Sequence, residues 1–261
     1  MQVKKICVTL ILSCTSLSAA AVESVKTGFE SYRWREYVTN KNNVSPIETG
    51  TRLAATFNWR EDGDRGLLWG YQGKLYFGRV RYDTFMQQSG EAVSTHTVYS
   101  GSSQEIQLMH RQDLGLVKFD YVSGFGLDGW QRMIATQGAY QTEEYRIVFM
   151  RGGINVDQPV KRDGFHGGGG VKYPVWTSED ANLDTAGFTS NPKLSPGKSI
   201  SLYAELGYRI GNYFDLVGYY DSWRFKESPR VKAATADGRM YEIWQPKSSM
   251  DTVGLRMMYA F

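Results

Sequence analysis

The chain of 261 residues contains few of the side chains that build covalent or metal-based chemistry. It has two cysteines, Cys7 and Cys14, and three histidines. Both cysteines lie in an N-terminal segment that we expect to be cleaved off. The mature chain would then have no disulfide, thiol nucleophile or zinc–cysteine site. The rest of the chain lacks an apolar run of the roughly 20 residues that a membrane-spanning helix requires.

The first residues have the composition of a secretory signal peptide. Lys4 and Lys5 precede a short apolar segment, 6–12, and small residues occupy positions 18–21. This order of charged, apolar and small residues is typical of a cleaved signal. The sequence therefore predicts a signal peptide over residues 1–21 and a single domain over residues 22–261.

The charges of the chain are nearly balanced. It has 30 basic and 27 acidic residues, and removal of Lys4 and Lys5 leaves a net charge of +1. A nucleic-acid-binding protein would show a basic excess, so we predict no nucleic-acid partner.

The sequence also predicts no metal and no cofactor. Residues 180–184 have the Asp-x-Asn-x-Asp spacing of a calcium loop. However, Thr185 stands where that loop needs glycine, and Asn191 stands where it needs glutamate.

Aromatic residues make up 14% of the chain, and apolar residues recur at every second position. Side chains of a strand alternate between its two faces, so each such segment has one apolar and one polar face. An exported chain with many strands of this kind favours an all-β fold, a transmembrane up-and-down antiparallel β-barrel of about ten strands. Eight or twelve strands are the alternatives. The ten segments lie near residues 32–35, 52–60, 69–77, 105–108, 117–121, 144–149, 171–175, 200–209, 214–221 and 252–261.

The connections alternate between short and long, as they do in outer-membrane barrels, where the short turns are periplasmic. This alternation predicts that both termini are periplasmic. Segment 153–163 departs from the pattern, because a short turn is expected there and this segment is longer than a short turn. The short connections are 61–66, 111–113 and 211–212, and the longer ones are 39–50, 83–103, 130–142, 176–198 and 226–248.

The C-terminal strand places Val253, Leu255, Met257, Tyr259 and Phe261 on one face. This ending resembles the C-terminal insertion signal of bacterial outer-membrane barrels. With the signal peptide and the loop pattern, the mature chain resembles small integral outer-membrane β-barrel proteins of Gram-negative bacteria. The resemblance implies an outer-membrane location, contact with outer-membrane lipid, and recognition of the last strand by the barrel-assembly machinery. It implies no particular activity.

A soluble β-sandwich or lipocalin-like barrel would show the same alternation with its apolar face inward. Its other face would be solvated and richer in Lys, Glu and Thr. Here that face carries Arg, Tyr, Gly and acidic residues, which favours a confined polar lumen. We expect interfacial aromatic girdles to include Trp34 and Trp69.

A barrel of about ten strands has a narrow lumen, which side chains mostly fill. The predicted inward face carries both signs of charge in nearly equal number, which we interpret as a network of paired charges. Its candidate members are Arg33, Arg35, Arg52, Lys74, Glu105, Lys118, Asp120, Arg146, Glu205, Asp215, Asp221 and Arg256.

Three functions fit such a barrel. The first is a filled barrel that acts through its extracellular loops, whose ligand is unknown, or as a structural membrane component. The second is a narrow channel for small polar solutes. The third is a lipid- or peptide-modifying enzyme, which we do not expect. The chain has neither the Asp-Asp nor the Asp-His dipeptide of omptin proteases, and His96 and His110 lie in no hydrolase motif.

Overall fold

The computed structural model describes residues 21–38, 45–85, 91–136, 140–158, 163–211 and 214–260. Within these residues, ten antiparallel strands form a closed barrel, as the alternation predicts. No helix in this part of the chain is long and apolar enough to cross a membrane. The ten barrel strands are β1 (Ala21–Tyr37), β2 (Ile47–Glu61), β3 (Gly66–Phe85), β4 (Ala92–Asp113), β5 (Lys118–Ala135), β6 (Tyr140–Asp157), β7 (Asp163–Asn182), β10 (Ser201–Ile210), β11 (Phe214–Lys226) and β14 (Lys247–Ala260).

Short secondary-structure elements lie at one end of the barrel. Strand β8 (Lys193–Leu194) pairs with β7, and β9 (Gly197–Lys198) pairs with β11. Strands β12 (Val231–Ala234) and β13 (Met240–Ile243) form a separate hairpin, and a 3-10 turn spans Asp184–Ala186.

The last strand closes the barrel against the first. Each barrel strand pairs with its neighbour in the chain, β7 pairs with β10, and β14 pairs with β1. In the β1–β14 register, Ser31 lies opposite Val253 and Thr27 lies opposite Met257. Each of the ten strands therefore has two partners, which removes the free edges at which open sheets aggregate.

The two ends of the barrel differ in their connections. At the turn end, segments 62–65, 114–117 and 158–162 join consecutive strands, and Ala21 and Ala260 lie at the same end. The opposite loop end carries the connections 38–46, 183–200 and 227–246. Strand β6 continues to Asp157, so the connection after it is short, and the irregularity expected at 153–163 is absent from the described part.

The prediction of long loops over 83–103 and 130–142 is wrong. Strands β3, β4 and β5 extend through most of these residues, and β4 alone has 22 residues. A strand of 9–11 residues suffices to cross a bilayer, so the barrel wall continues well beyond the membrane at the loop end.

An apolar belt surrounds the outside of the barrel. Phe29, Leu53 and Phe77 are opposite one another on β1, β2 and β3 and are 64%, 41% and 58% exposed. Exposed apolar side chains on every strand are the surface that lipid covers. Other members of the belt are Leu75, Ile106, Phe125, Leu127, Met150, Val171, Leu202, Leu206, Leu216, Val253, Leu255 and Met257.

Three predicted lumen residues face outward instead. Arg33 and Arg35 lie on the outer face of β1, whose buried face carries Tyr32 and Trp34. Arg146 of β6 also faces outward, with 56% of its side chain exposed. All three lie on the loop-end side of the belt, where water surrounds the barrel. Water solvates the charges on that outer surface, and aromatic rings fill the interior. At these three residues the charged side chain therefore lies on the outer face of its strand, the reverse of the prediction. Trp34 is accordingly buried, and its assignment to an interfacial girdle is wrong.

The predicted assembly signal lies only partly within the described residues. Val253, Leu255 and Met257 face outward in the belt. Tyr259 belongs to β14 and pairs with Val25. Phe261 and the predicted signal peptide, apart from Ala21, lie outside the described residues. Recognition of this strand by the barrel-assembly machinery stays a prediction.

The closing register can be tested by disulfide formation. In the variant Ser31→Cys/Val253→Cys the two cysteines are directly opposite, at a Cα separation of roughly 4.5–5.5 Å that suits a disulfide. In the control Ser31→Cys/Leu255→Cys they are diagonal, roughly 7–8 Å apart, beyond normal disulfide reach. We expect mild oxidation to remove free thiols, measured by maleimide labelling after denaturation, in the first variant alone. The reverse result would show a register slip of two residues.

Candidate functional site

The loop-end half of the lumen is filled by an aromatic plug. Trp34 lies at ring-centroid distances of 5.6 Å from Tyr145 and 6.2 Å from both Trp130 and Phe225. Strands β1 and β6 lie on opposite sides of the ring of ten strands, so the contact between Trp34 and Tyr145 crosses the lumen. The plug consists of Tyr32, Trp34, Tyr76, Tyr99, Trp130, Tyr145, Phe149, Trp223 and Phe225, all of them buried.

A charged rim cluster lies beside the plug near the loop end. The guanidinium of buried Arg132 is 3.1 Å from Glu36, 3.4 Å from Glu48 and 3.3 Å from Glu143. Glu48 also accepts hydrogen bonds from Thr97, at 2.6 Å, and from Tyr99. Several carboxylates thus share one cation in a site that is shielded from water.

The pKa values of two rim carboxyls are raised. Both carboxyls lie beyond the belt, where their neighbours Glu144 and Asp180 face outward beside Arg146. Burial raises the pKa of Glu143 to about 6; Arg132 opposes this shift, and Glu36 and Glu48 add to it. Burial also raises the pKa of Glu179 well above its usual range, with a further contribution from Glu143.

Paired charges follow at the level of the belt. Glu30 binds Arg52 at 2.9 Å, forms a close ion pair with Lys74 and accepts a hydrogen bond from Tyr219. The guanidinium of Arg52 also lies 4.0 Å from the centre of the Tyr32 ring, which joins this pair to the plug. The negative charge of Glu30 is therefore compensated by two cations, and the Arg52 cation is also held against aromatic surface.

Asp128 and Lys172 connect the plug to the polar lumen. Asp128 accepts hydrogen bonds from the Trp223 indole, at 2.8 Å, and from Tyr76, at 3.1 Å. The ammonium of Lys172 lies 3.9 Å from the centre of the Trp223 ring and 2.5 Å from Asp221.

Glycines make room for a second layer of pairs. Arg151 binds Glu105 at 3.2 Å and lies 3.6 Å from the centre of the Tyr203 ring. A Cβ at Gly153 or Gly170 would meet the Tyr203 hydroxyl at 2.0 or 2.7 Å. The glycines therefore allow the Tyr203 ring to lie over the neighbouring strands β7 and β6.

The turn-end half of the lumen is polar and partly open. Arg111 binds Asp120 through two contacts of 2.7 Å, Lys118 binds Asp64 at 2.8 Å, and His166 contacts Asp215 at 2.8 Å. Cavities of about 80 and 160 Å³ lie among the polar side chains of this half and of the belt level. The smaller cavity reaches the plug at Tyr76 and Phe149.

Nine of the twelve predicted lumen residues face inward. Each has an ion-pair partner within the barrel or at its turn-end mouth. Their role in a functional network stays a prediction. The sequence does not predict several other inward charges, because they lie in segments expected to be loops or on a strand face expected to be the outer one. These charges include Lys26, Glu30, Glu48, Arg111, Asp128, Arg132, Glu143, Arg151, His166, Lys172 and Glu179.

The structure offers no metal cluster among the residues that it describes. In the calcium-like segment, Asp180 instead lies 3.4 Å from Arg146, and the Asn182 side chain accepts a hydrogen bond from the Asp184 backbone.

A solved structure with a TM-score above 0.5 shows a similar fold. The chain is similar to the outer membrane protease OmpT from Escherichia coli, with a TM-score of 0.54, 11% identity, and coverage of 95% of this chain and 100% of that one. It is also similar to the transport unit of the autotransporter AIDA-I from Escherichia coli, with a TM-score of 0.46, 9% identity, and coverage of 96% and 93%. For Ail of Yersinia pestis the TM-score is 0.31 and the identity 11%, with coverage of 93% and 100%.

No protein-family model and no curated protein sequence matches the chain. The structural likeness concerns the fold, and it confirms the predicted resemblance to small outer-membrane β-barrel proteins.

Removal of one buried cation tests the paired lumen. Arg52→Ala leaves Glu30 with weaker compensation in a site without bulk water, so we expect the free energy of unfolding to fall by about 3 kcal/mol. Urea unfolding in lipid vesicles, followed by tryptophan fluorescence, measures this change. The control Arg146→Ala removes an outward, exposed ion pair and should cost less than about 1 kcal/mol. Equal effects of the two substitutions would contradict the buried pairing.

The rim cluster predicts a specific dependence of stability on pH. The Glu143 carboxyl titrates near pH 6 in the folded protein but near 4.5 when unfolded. The folded state binds more protons between these values, so the stability from this group falls as the pH rises, by about 2 kcal/mol. Glu143→Gln should make this decline shallower between pH 4.5 and 7 in urea unfolding, and the raised pKa of Glu179 should account for the decline that remains. Its outward neighbour provides the control Glu144→Gln, which should keep the decline; parallel curves for Glu143→Gln and the unmodified protein would refute the assignment.

Proposed function

We propose that the protein is a sealed outer-membrane barrel that acts through its loop-end surface rather than by conducting solutes. The observation that carries this proposal is the aromatic plug, in which Trp34 and Trp223 are fully buried at the level where a pore would need its outer opening. The proposed orientation has the loop end outside the cell and the turn end, with both termini, in the periplasm.

The packing of the lumen supports a closed path. An ion crossing the loop-end half would have to displace rings in mutual contact, such as Phe149 and Trp223 with centroids 5.3 Å apart. Most charges below the plug are paired with the opposite sign, whereas a selective constriction usually presents a ring of one sign. The cavities in that half fit a chamber that ends blindly at the plug.

The loop end provides an ordered surface on which a partner could bind. The β12–β13 hairpin is held to residues 187–189, which follow the 3-10 turn, by backbone hydrogen bonds from Thr189 to Ala234, at 2.9 Å, and from Ala236 to Gly187, at 3.0 Å. Met240 and Tyr241 of this hairpin are exposed. Exposed apolar side chains on an ordered surface are a common feature of protein interaction sites.

A narrow channel is the second candidate, and the cavities in the turn-end half are the feature that favours it. A channel would need the plug to move, whereas a sealed barrel keeps it in place. We expect no catalytic activity. The buried His166–Asp215 pair could exchange protons, but it lies near the turn end, and His96 lies on the outer face beside the Tyr140 ring.

Planar-bilayer recording separates the two candidates. The purified protein should give no steady conductance steps, because the plug fills the lumen. Trp34→Ala/Trp223→Ala removes two plug rings and should produce steps, whereas the outward-facing control Trp69→Ala should remain silent. Steady steps from the unmodified protein would refute the sealed lumen and favour the channel.

A further inference from the structure

A group of arginines occupies the outer wall just beyond the apolar belt. On β1 and β3, Arg33, Arg79 and Arg81 are exposed, and Arg35 is half-buried. We call these four residues the arginine patch. They lie on strands that are separated by β2 alone, so the backbones that carry them are about 10 Å apart.

The register turns these residues into the two walls of a shallow trough. Arg33 and Arg81 are both paired with Thr49 of β2, and Arg79 is paired with Thr51. Thr49 and Thr51 are exposed, so small hydroxyl side chains form the floor between two arginine walls. Arginine side chains are long enough to converge on one group above such a floor.

The trough directly adjoins the surface that lipid covers. The row Phe29–Leu53–Phe77 lies one step closer to the turn end than the row Ser31–Thr51–Arg79. One step of two residues along a strand is about 7 Å. A lipid whose acyl chains lie on the belt would therefore place its headgroup in the trough.

The charge of the patch is only partly compensated within the protein: Arg81 has an ion-pair partner and Arg35 lies over the Tyr37 ring. Among the described residues, Arg33, Arg35 and Arg79 have no carboxylate within ion-pairing distance. The nearby carboxylates are engaged, Asp83 with Arg81 at 2.8 Å and Asp251 with Arg224 at 2.5 Å. Elsewhere on the outer wall Arg146 is paired with Glu144 and Asp180. The patch thus differs from ordinary surface arginines by its excess of positive charge.

We propose that the arginine patch binds the phosphate groups of a membrane lipid whose acyl chains cover Phe29, Leu53 and Phe77. Guanidinium groups bind phosphate oxygens through paired, charge-assisted hydrogen bonds. The hydroxyls of Thr49 and Thr51 can donate to the same oxygens. With the proposed orientation, this is a phosphorylated lipid of the outer leaflet.

Direct binding tests the proposal without relying on the orientation. The purified protein in dodecyl maltoside micelles is titrated with diphosphoryl lipid A, or with the same lipid after removal of its phosphates, and bound lipid is measured by native mass spectrometry. We expect the phosphorylated lipid to bind at least tenfold more tightly. Arg33→Gln/Arg79→Gln should weaken its binding about tenfold or more, because each lost charged hydrogen bond is worth roughly a factor of ten.

The control Arg146→Gln removes a paired arginine from the same outer wall and should leave lipid binding unchanged. Heat-modifiable migration on gels reports that each variant is folded. Equal affinity for the two lipids would overturn the proposal even if the double variant failed to fold. Equal losses in Arg33→Gln/Arg79→Gln and Arg146→Gln would show general attraction by charge. Displacement of the lipid by millimolar inorganic phosphate would refute a site built for a lipid headgroup.

Discussion

The structure depends on filling a closed ring of ten strands with side chains that satisfy one another. A lumen of this width is too narrow to hold bulk water throughout, and an isolated charge inside it would cost several kcal/mol. The charged layers solve this with ion pairs between adjacent or next-but-one strands: Glu30 with Arg52 and Lys74, Glu105 with Arg151, and Glu205 with Arg256 at 2.8 Å. Near the loop end, aromatic rings fill the lumen instead. Arg52 and Lys172 contact both these rings and the charged layers.

The wall is one continuous sheet, but its outer surface meets two solvents. Along the belt the outer face is apolar and the inner face is polar. Beyond the belt at the loop end, Arg33, Arg81 and Arg146 face outward into water, and the interior is aromatic. The same strands continue through both zones. The exchange of polar and apolar faces therefore comes from the medium that surrounds the barrel, which is lipid at the belt and water beyond it.

This reversal explains how much could be predicted from the sequence. The all-β fold, ten strands, closure by the last strand, and the inward side of residues such as Arg52 and Arg256 follow from alternation within the belt. Alternation shows that the two faces of a strand differ, but it does not show which face is inside. The prediction of the inner face of β1 is therefore wrong beyond the belt, at Arg33 and Arg35. The side-chain contacts between strands could not be predicted from the sequence either. Glu30 and Tyr219 are 189 residues apart, and their contact depends on the closing register.

Charged residues that pair inside the barrel and charged residues that remain unpaired outside it require different explanations. A buried pair such as Arg151 with Glu105 is explained by the barrel itself, since removal of either partner would leave a charge without compensation. Arg33 and Arg79 have no such explanation, because water alone would solvate a lysine, glutamine or threonine there equally well. Their position beside Phe29 and Phe77 connects positive charge to lipid-facing surface across two strands. In a barrel with a filled lumen, the outer wall and the loop end are where such unexplained side chains can act.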